Sequence, residues 1–275
     1  MYRAGVIEVF SVTFAAVSLT VVGATSAIAG GLIPHRAVYD IELKQADEQS
    51  GIDGMNGRLV YEFGGDKCTG YTTNFRFVTR LETGDQVRVT DQQSTTFENP
   101  DAGEFRFDSK SFTDDQLDKE VSGFASGIES GIRIDLDEPE SRSVDIASSR
   151  FPTEHMLEVI DKARKGKSVV EERIFDGSED GDQSYLTTTF VGNSQKPKDN
   201  DPEIGADSPL AKSPYWPVSI AYFNDGDSGD QLPVYTQSFK LYENGITRDL
   251  TLDYGDFVLS GHLKKLEILG DGKCQ

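Results

Sequence analysis

Asn74-Phe75-Arg76-Phe77-Val78-Thr79-Arg80-Leu81-Glu82 carries the pattern on which the fold turns. Phe75, Phe77, Thr79 and Leu81 fall on one side, and Asn74, Arg76, Arg80 and Glu82 on the other. A period of two is the mark of a strand with one buried face. The same alternation returns where Ile132, Ile134 and Leu136 oppose Arg133, Asp135 and Asp137. It returns again where Ile246, Leu250, Leu252 and Tyr254 oppose Thr247, Asp249, Thr251 and Asp253. Half-buried strands of this kind belong in an antiparallel sheet, and a long series of them must close or roll up to limit its exposed edges. The expected fold is therefore all-β: antiparallel strands curled into a spiral or barrel-like single domain over residues 30–275.

Turn chemistry supplies the punctuation at Gly64-Gly65, Thr83-Gly84-Asp85, Asn99-Pro100-Asp101, Asn244-Gly245 and Tyr254-Gly255-Asp256. In the last strand the phase shifts between Leu263 and Leu266, which predicts a bulge near Lys264 and Lys265. One segment departs from the strand period. Met156, Leu157, Ile160 and Ala163 lie at helical spacing between Pro152 and Gly166, predicting a single amphipathic helix that caps an open barrel end or lies across a sheet. Residues 193–212 hold Pro197, Pro202, Pro209 and several Asp without periodicity, and read as a flexible surface loop.

Charge narrows the function classes. With 27 Lys+Arg against 47 Asp+Glu the net charge is −20, so the chain has no basic surface with which to bind nucleic acid or anionic headgroups. Arg3, the uncharged stretch after Glu8 and Ala27-Ile28-Ala29 have the layout of a secretory signal peptide over residues 1–29, cleaved after Ala29. A membrane anchor is the rival reading, but the apolar stretch is short of the roughly 20 residues that span a bilayer. No later run could span one either, which leaves a soluble exported protein as the expectation. In an oxidising compartment the only two cysteines, Cys68 and Cys274, read as a disulfide. The alternative is a metal site, for which His35, His155 and His262 offer no zinc-like spacing.

Catalytic signatures are weak. Gly226-Asp227-Ser228-Gly229-Asp230 looks like the nucleophile segment of chymotrypsin-like proteases, yet Asp230 replaces that family's second Gly and no histidine has the matching setting. An acidic hairpin loop between Phe223 and Leu232 explains it better. Asp176 to Asp182 imitates the start of an EF-hand calcium loop, but the twelfth place is Thr187 and the flanks read as strands, so a hydrated β-turn is expected. His35, just ahead of the first strand, suits capping or edge pinning more than catalysis. No cofactor, metal or catalytic residue is implied. Tyr215, Trp216, Tyr222 and Phe223 are an aromatic concentration that packs a core or, if the sheet curls around a cavity, lines it for an amphipathic ligand.

Taken together, Pro34 to Leu43, Gly57 to Phe63, Cys68-Thr69-Gly70-Tyr71, Phe151 to His155, Ser213 to Phe223 and the final Cys274 resemble the alphaproteobacterial cell envelope integrity protein EipB family over almost the whole exported chain. Phe63 and Tyr71 stand where Trp is expected, and both keep an aromatic. The resemblance implies a periplasmic spiral or barrel-like antiparallel fold, similar to lipoprotein carrier and receptor proteins and to the periplasmic sensor RseB. It implies a non-enzymatic role in envelope integrity, with Cys68 and Cys274 as a structural disulfide. Three readings compete: binding of an amphipathic ligand, a lipid or lipoprotein acyl chain, or of an envelope partner in a concave cavity; a scaffold with a filled interior and no small ligand; and a hydrolase acting through Ser228.

Overall fold

A computed structural model describes residues 31–205, 208–225 and 232–274. The expected signal sequence with its Ala29 cleavage point, and the Ser228 segment, lie outside these described residues. Eight strands come first: β1 (His35–Ala46), β2 (Gly54–Asp66), β3 (Gly70–Thr83), β4 (Gln86–Asn99), β5 (Glu104–Thr113), β6 (Gln116–Ile128), β7 (Gly131–Glu138) and β8 (Arg142–Ile146). After helix α1 (Pro152–Arg164) come β9 (Val169–Ile174), β10 (Tyr185–Val191), β11 (Tyr215–Asn224), β12 (Tyr235–Tyr242), β13 (Thr247–Asp253) and β14 (Phe257–Ile268). Among the described residues all fourteen form one antiparallel sheet in the order β8-β7-β6-β5-β4-β3-β2-β1-β14-β13-β12-β11-β10-β9. Each half is a meander of hairpins, and β1 against β14 joins them.

The sheet curls without closing. Its end strands β8 and β9 approach through Arg150, whose N–H donates to the Arg173 carbonyl (2.7 Å) and whose carbonyl accepts from the Phe175 N–H (2.9 Å). Apolar residues on the inner face form two buried groups. The larger joins strands on either side of the β1–β14 seam to Val159, Ile160 and Ala163 of α1. The smaller packs Phe105, Phe107, Val121, Ile134 and Leu136 against Phe151 and Phe175, with Phe105 and Phe151 stacked at 5.0 Å. Each fully buried Phe or Leu contributes roughly 1.5–3 kcal/mol relative to an exposed one.

Several expectations are met in detail. Phe77 and Thr79 are buried with Phe75 and Leu81 on the same side, and the helix starts at Pro152. The bulge falls at Lys264, because Val38 pairs with Lys265 while Tyr39 pairs with Leu263. Other readings need correction. Gly64-Gly65 is not a turn: β2 runs on to Asp66, and Gly65 adopts a positive φ of 87° so that the backbone can meet Gly70, where a Cβ would lie 2.1 Å from its carbonyl oxygen. The turn sits on Lys67 to Thr69, its N–H groups at Cys68 and Thr69 donating to the Asp66 carboxylate (2.7 and 3.0 Å).

The segment 193–212 is not a free surface loop either. Ile204 and Leu210 are buried in the larger core, and Asp201 and Glu203 reach the guanidinium of Arg248. Asp176 to Asp182 does contain the expected β-turn, closed by the Gly181 N–H donating to the Ser178 carbonyl (2.9 Å) with Glu179 and Asp180 exposed, but its glycines are packed inward. Gly177 and Gly181 are buried at positive φ, and a Cβ on Gly177 would stand 2.5 Å from the Phe107 ring, so the loop lies directly on that aromatic. Its exposed carboxylates are already paired, Asp180 with Lys119 (2.8 Å) and Asp182 with Arg142 (2.6 Å).

Candidate functional site

Where the sheet curls beneath the start of α1, a half-open cavity of about 230 Å³ remains. Its walls come from sequence-distant strands: Tyr61 and Phe63 of β2, Ile220 and Tyr222 of β11 and Phe239 of β12. Thr153, His155 and Met156 of α1 form the roof. Alternation in β2 and β11 turns these side chains inward. Tyr222 also begins a row of rings that crosses the sheet through Tyr235 (5.6 Å) and Tyr254 (4.9 Å) to Phe257 (4.8 Å). Such cross-strand aromatic pairs fix neighbouring strands in register.

The roof is held from across the sheet. The helix N-cap is Phe151, whose side chain can accept nothing, so the first-turn N–H groups need an external acceptor. Glu98 of β4 supplies it, accepting from Thr153 (2.7 Å) and Glu154 (2.8 Å), while the Glu154 carboxylate returns to the Phe151 N–H (3.1 Å). Glu98 is 2% exposed, and burial pushes its carboxyl up to about 7 against the opposing pull of the Thr153 and Glu154 donors. Burial has the reverse effect on His155, which is drawn down to about 4, with the charge of Arg150 adding to the effect; its Nε2 lies 3.3 Å from the Thr189 hydroxyl. His35 is likewise lowered by burial and holds its Nδ1 against the Ile33 carbonyl (2.8 Å), fixing the start of β1. Both imidazoles are neutral at neutral pH, as an apolar wall requires.

The four aromatics singled out in the sequence have different places. Tyr222 is at the cavity wall. Trp216 packs against the larger core, and Tyr215 is buried between Tyr242 (5.8 Å) and Arg248, whose guanidinium stacks 5.3 Å from its ring. Phe223 is one residue on from Tyr222, so it faces the other side of β11, opposite Leu186. Cys68 and Cys274 are joined, their Cα atoms 5.7 Å apart.

Among the described residues, two further groups of possible metal ligands fail on chemistry. Asp66 with Cys68 and Cys274 has no thiolate to offer, since both sulfurs are in the disulfide. Glu203, Asp249 and His262 stand beside Arg248 and Lys240, which already neutralise the carboxylates. Arg248 itself was hidden in the alternation, since it holds an inward position between Ile246 and Leu250 and is fully buried. Its Nε donates to the Tyr242 hydroxyl (2.8 Å) and its Nη1 to Glu203 (2.9 Å) and Asp201 (3.1 Å).

The EipB-like family model matches residues 26–270. A curated relative, the cell envelope integrity protein EipB of Brucella abortus (strain 2308), is 49% identical over 251 residues, covering 91% of this chain and 89% of its own length. A crystal structure of a beta-barrel-like protein of the domain of unknown function DUF1849 from Brucella abortus is similar with a TM-score of 0.82 and 49% identity. That match covers 87% of this chain and 99% of the other.

Proposed function

This chain belongs to the EipB-like family, and from that premise we propose that it is an exported, periplasmic, non-enzymatic protein that supports cell envelope integrity by binding an amphipathic ligand inside its curled sheet. The observation that carries the reading is the half-open cavity under α1, whose aromatic and aliphatic walls also include His35, His155, Asp176, Gln237 and three threonines. The apolar part of that lining favours an acyl chain, because filling it removes apolar surface from water. The disulfide supports the oxidising compartment.

Solvent extraction of the purified protein followed by mass spectrometry, together with titration of an environment-sensitive fluorescent fatty acid, tests the proposal. A co-purifying lipid and saturable probe binding are expected. The absence of both lipid and saturable binding would overturn it. A second reading, an envelope protein partner, is favoured by one observation: Val169, Leu186 and Phe190 are exposed together on the outer face of β9 and β10, Phe190 at 53%. Loss of a co-purifying protein in Phe190→Ser with probe binding intact would support that partner.

A further inference from the structure

Asp176 borders the cavity on one side and, on the other, a second chamber of about 520 Å³, which lies between the concave face of β3 to β6 and the loop that follows β9. The register sets Phe75 opposite Ser94 and Ser94 opposite Ser109, with Gln92 opposite Ser111 beside them. Inward positions that carry Phe and Leu elsewhere therefore carry hydroxyl and amide groups here. Among the described residues, the side chains of Gln92, Ser94, Ser109 and Ser111 make no hydrogen bond to protein, although the three serines are half-buried. Solvent reaches these groups, so an occupant that displaces it must return their hydrogen bonds.

Charge then restricts the occupant. Lys119 at the chamber is held by Asp180 (2.8 Å) and Glu179 (3.7 Å), and Lys110 by Glu120 (2.8 Å). The N-terminus of α1 would be a ready anion site, but the Glu98 carboxylate already fills it. With a chain charge of −20, an anionic group entering this chamber meets no free cation among the described residues and an unfavourable field.

We infer that the two chambers together select an amphiphile with an uncharged, hydroxyl-rich head of the sugar or polyol class, the chain lying in the apolar chamber under α1 and the head against Ser94, Ser109 and Ser111. The inference rests on the amphiphile reading above. Calorimetric titration with dodecyl maltoside, dodecanoate and dodecylphosphocholine, each below its critical micelle concentration, and with maltose alone, tests it on the wild-type protein. The maltoside binds at least about tenfold more tightly than either charged probe or maltose, the worth of one or two hydrogen bonds. Ser94→Val with Ser109→Val, which suits a strand, loses about tenfold for the maltoside and leaves dodecanoate unchanged. Dodecanoate or dodecylphosphocholine binding as tightly as the maltoside overturns the head-group selection and leaves the amphiphile reading standing. Maltose binding as tightly as the maltoside, or no binding by any dodecyl probe, overturns both.

Discussion

Arg248 shows how far one side chain reaches in this protein. Past Leu250 the pairing of β13 with β14 stops, and Asp249 takes a positive φ of 54°. The backbone N–H groups of Asp249 and Leu263 are left without ladder partners, and the Glu203 carboxylate accepts both, at 3.3 and 2.8 Å. Arg248 holds that carboxylate in place. Replacing Arg248 with Met leaves Asp201 and Glu203 buried without their cation, and removal of one partner from a buried pair costs about 3–5 kcal/mol. Denaturant unfolding should record that loss. Arg248→Lys should recover little of it, since an ammonium cannot serve Tyr242, Asp201 and Glu203 at once.

Glu98 gives a prediction in pH. Its carboxyl sits at about 7 in the folded chain against the usual 4.5, so the folded state binds the proton more tightly. The stabilisation it confers is fully present below 4.5 and is lost as pH rises through 7. His155 runs the other way: its contribution is present above 6.5 and is lost as pH falls through 4. Glu98→Gln cannot ionise but leaves His155 in place. The stability of the wild type relative to that variant should therefore fall by about 3 kcal/mol between pH 4 and 8, read by thermal unfolding at matched ionic strength. A flat difference would mean that Glu98 does not titrate in the fold.

Among the elements, the strands were legible wherever one face is buried and the other wet. Phe75 to Leu81, Ile132 to Leu136 and the phase shift at Lys264 all follow from the period of two. Legibility failed where a side chain answers to a partner distant in sequence. Arg248 occupies an apolar phase because Asp201 and Glu203 come to it, and nothing in its own strand announces them. Glu98 caps a helix 55 residues away, so it reads locally as one acid among many in a polar strand. Ser94 and Ser109 were missed for the opposite reason: β4 and β5 are polar on both faces there, and alternation vanishes when the cavity side is polar too. The apolar cavity was foreseen as one of two options for an aromatic run, but its walls are drawn from strands that only the curl brings together.

The disulfide ties the β2–β3 turn to the end of the chain across 206 residues of sequence. For so long a loop the chain-entropy model sets a ceiling of roughly 5 kcal/mol. Cys68→Ser should lower the thermal midpoint under oxidising conditions, and reductant should lower the wild type to match it. An unchanged midpoint would show that the bond adds nothing. The charge of −20 is spread over turns and outer faces, where many acids pair with Arg or Lys at partly exposed sites of little individual worth. Its general effect is to keep the surface soluble and repelled from anionic membranes.

The seam between β1 and β14 sets an order on assembly. Eight strands lie on one side of it and six on the other, and each group is built of local hairpins that can pair as soon as their own residues are available. The seam cannot. His35 must wait for Ile268, and Ala46 for Phe257, so the middle of the sheet is the last part that the chain can supply. Until then β1 and the strands beside it present open edges and an unroofed apolar face. For any chain supplied from one end, as during synthesis, the interval between the arrival of its first strand and its last is the time when it most needs protection.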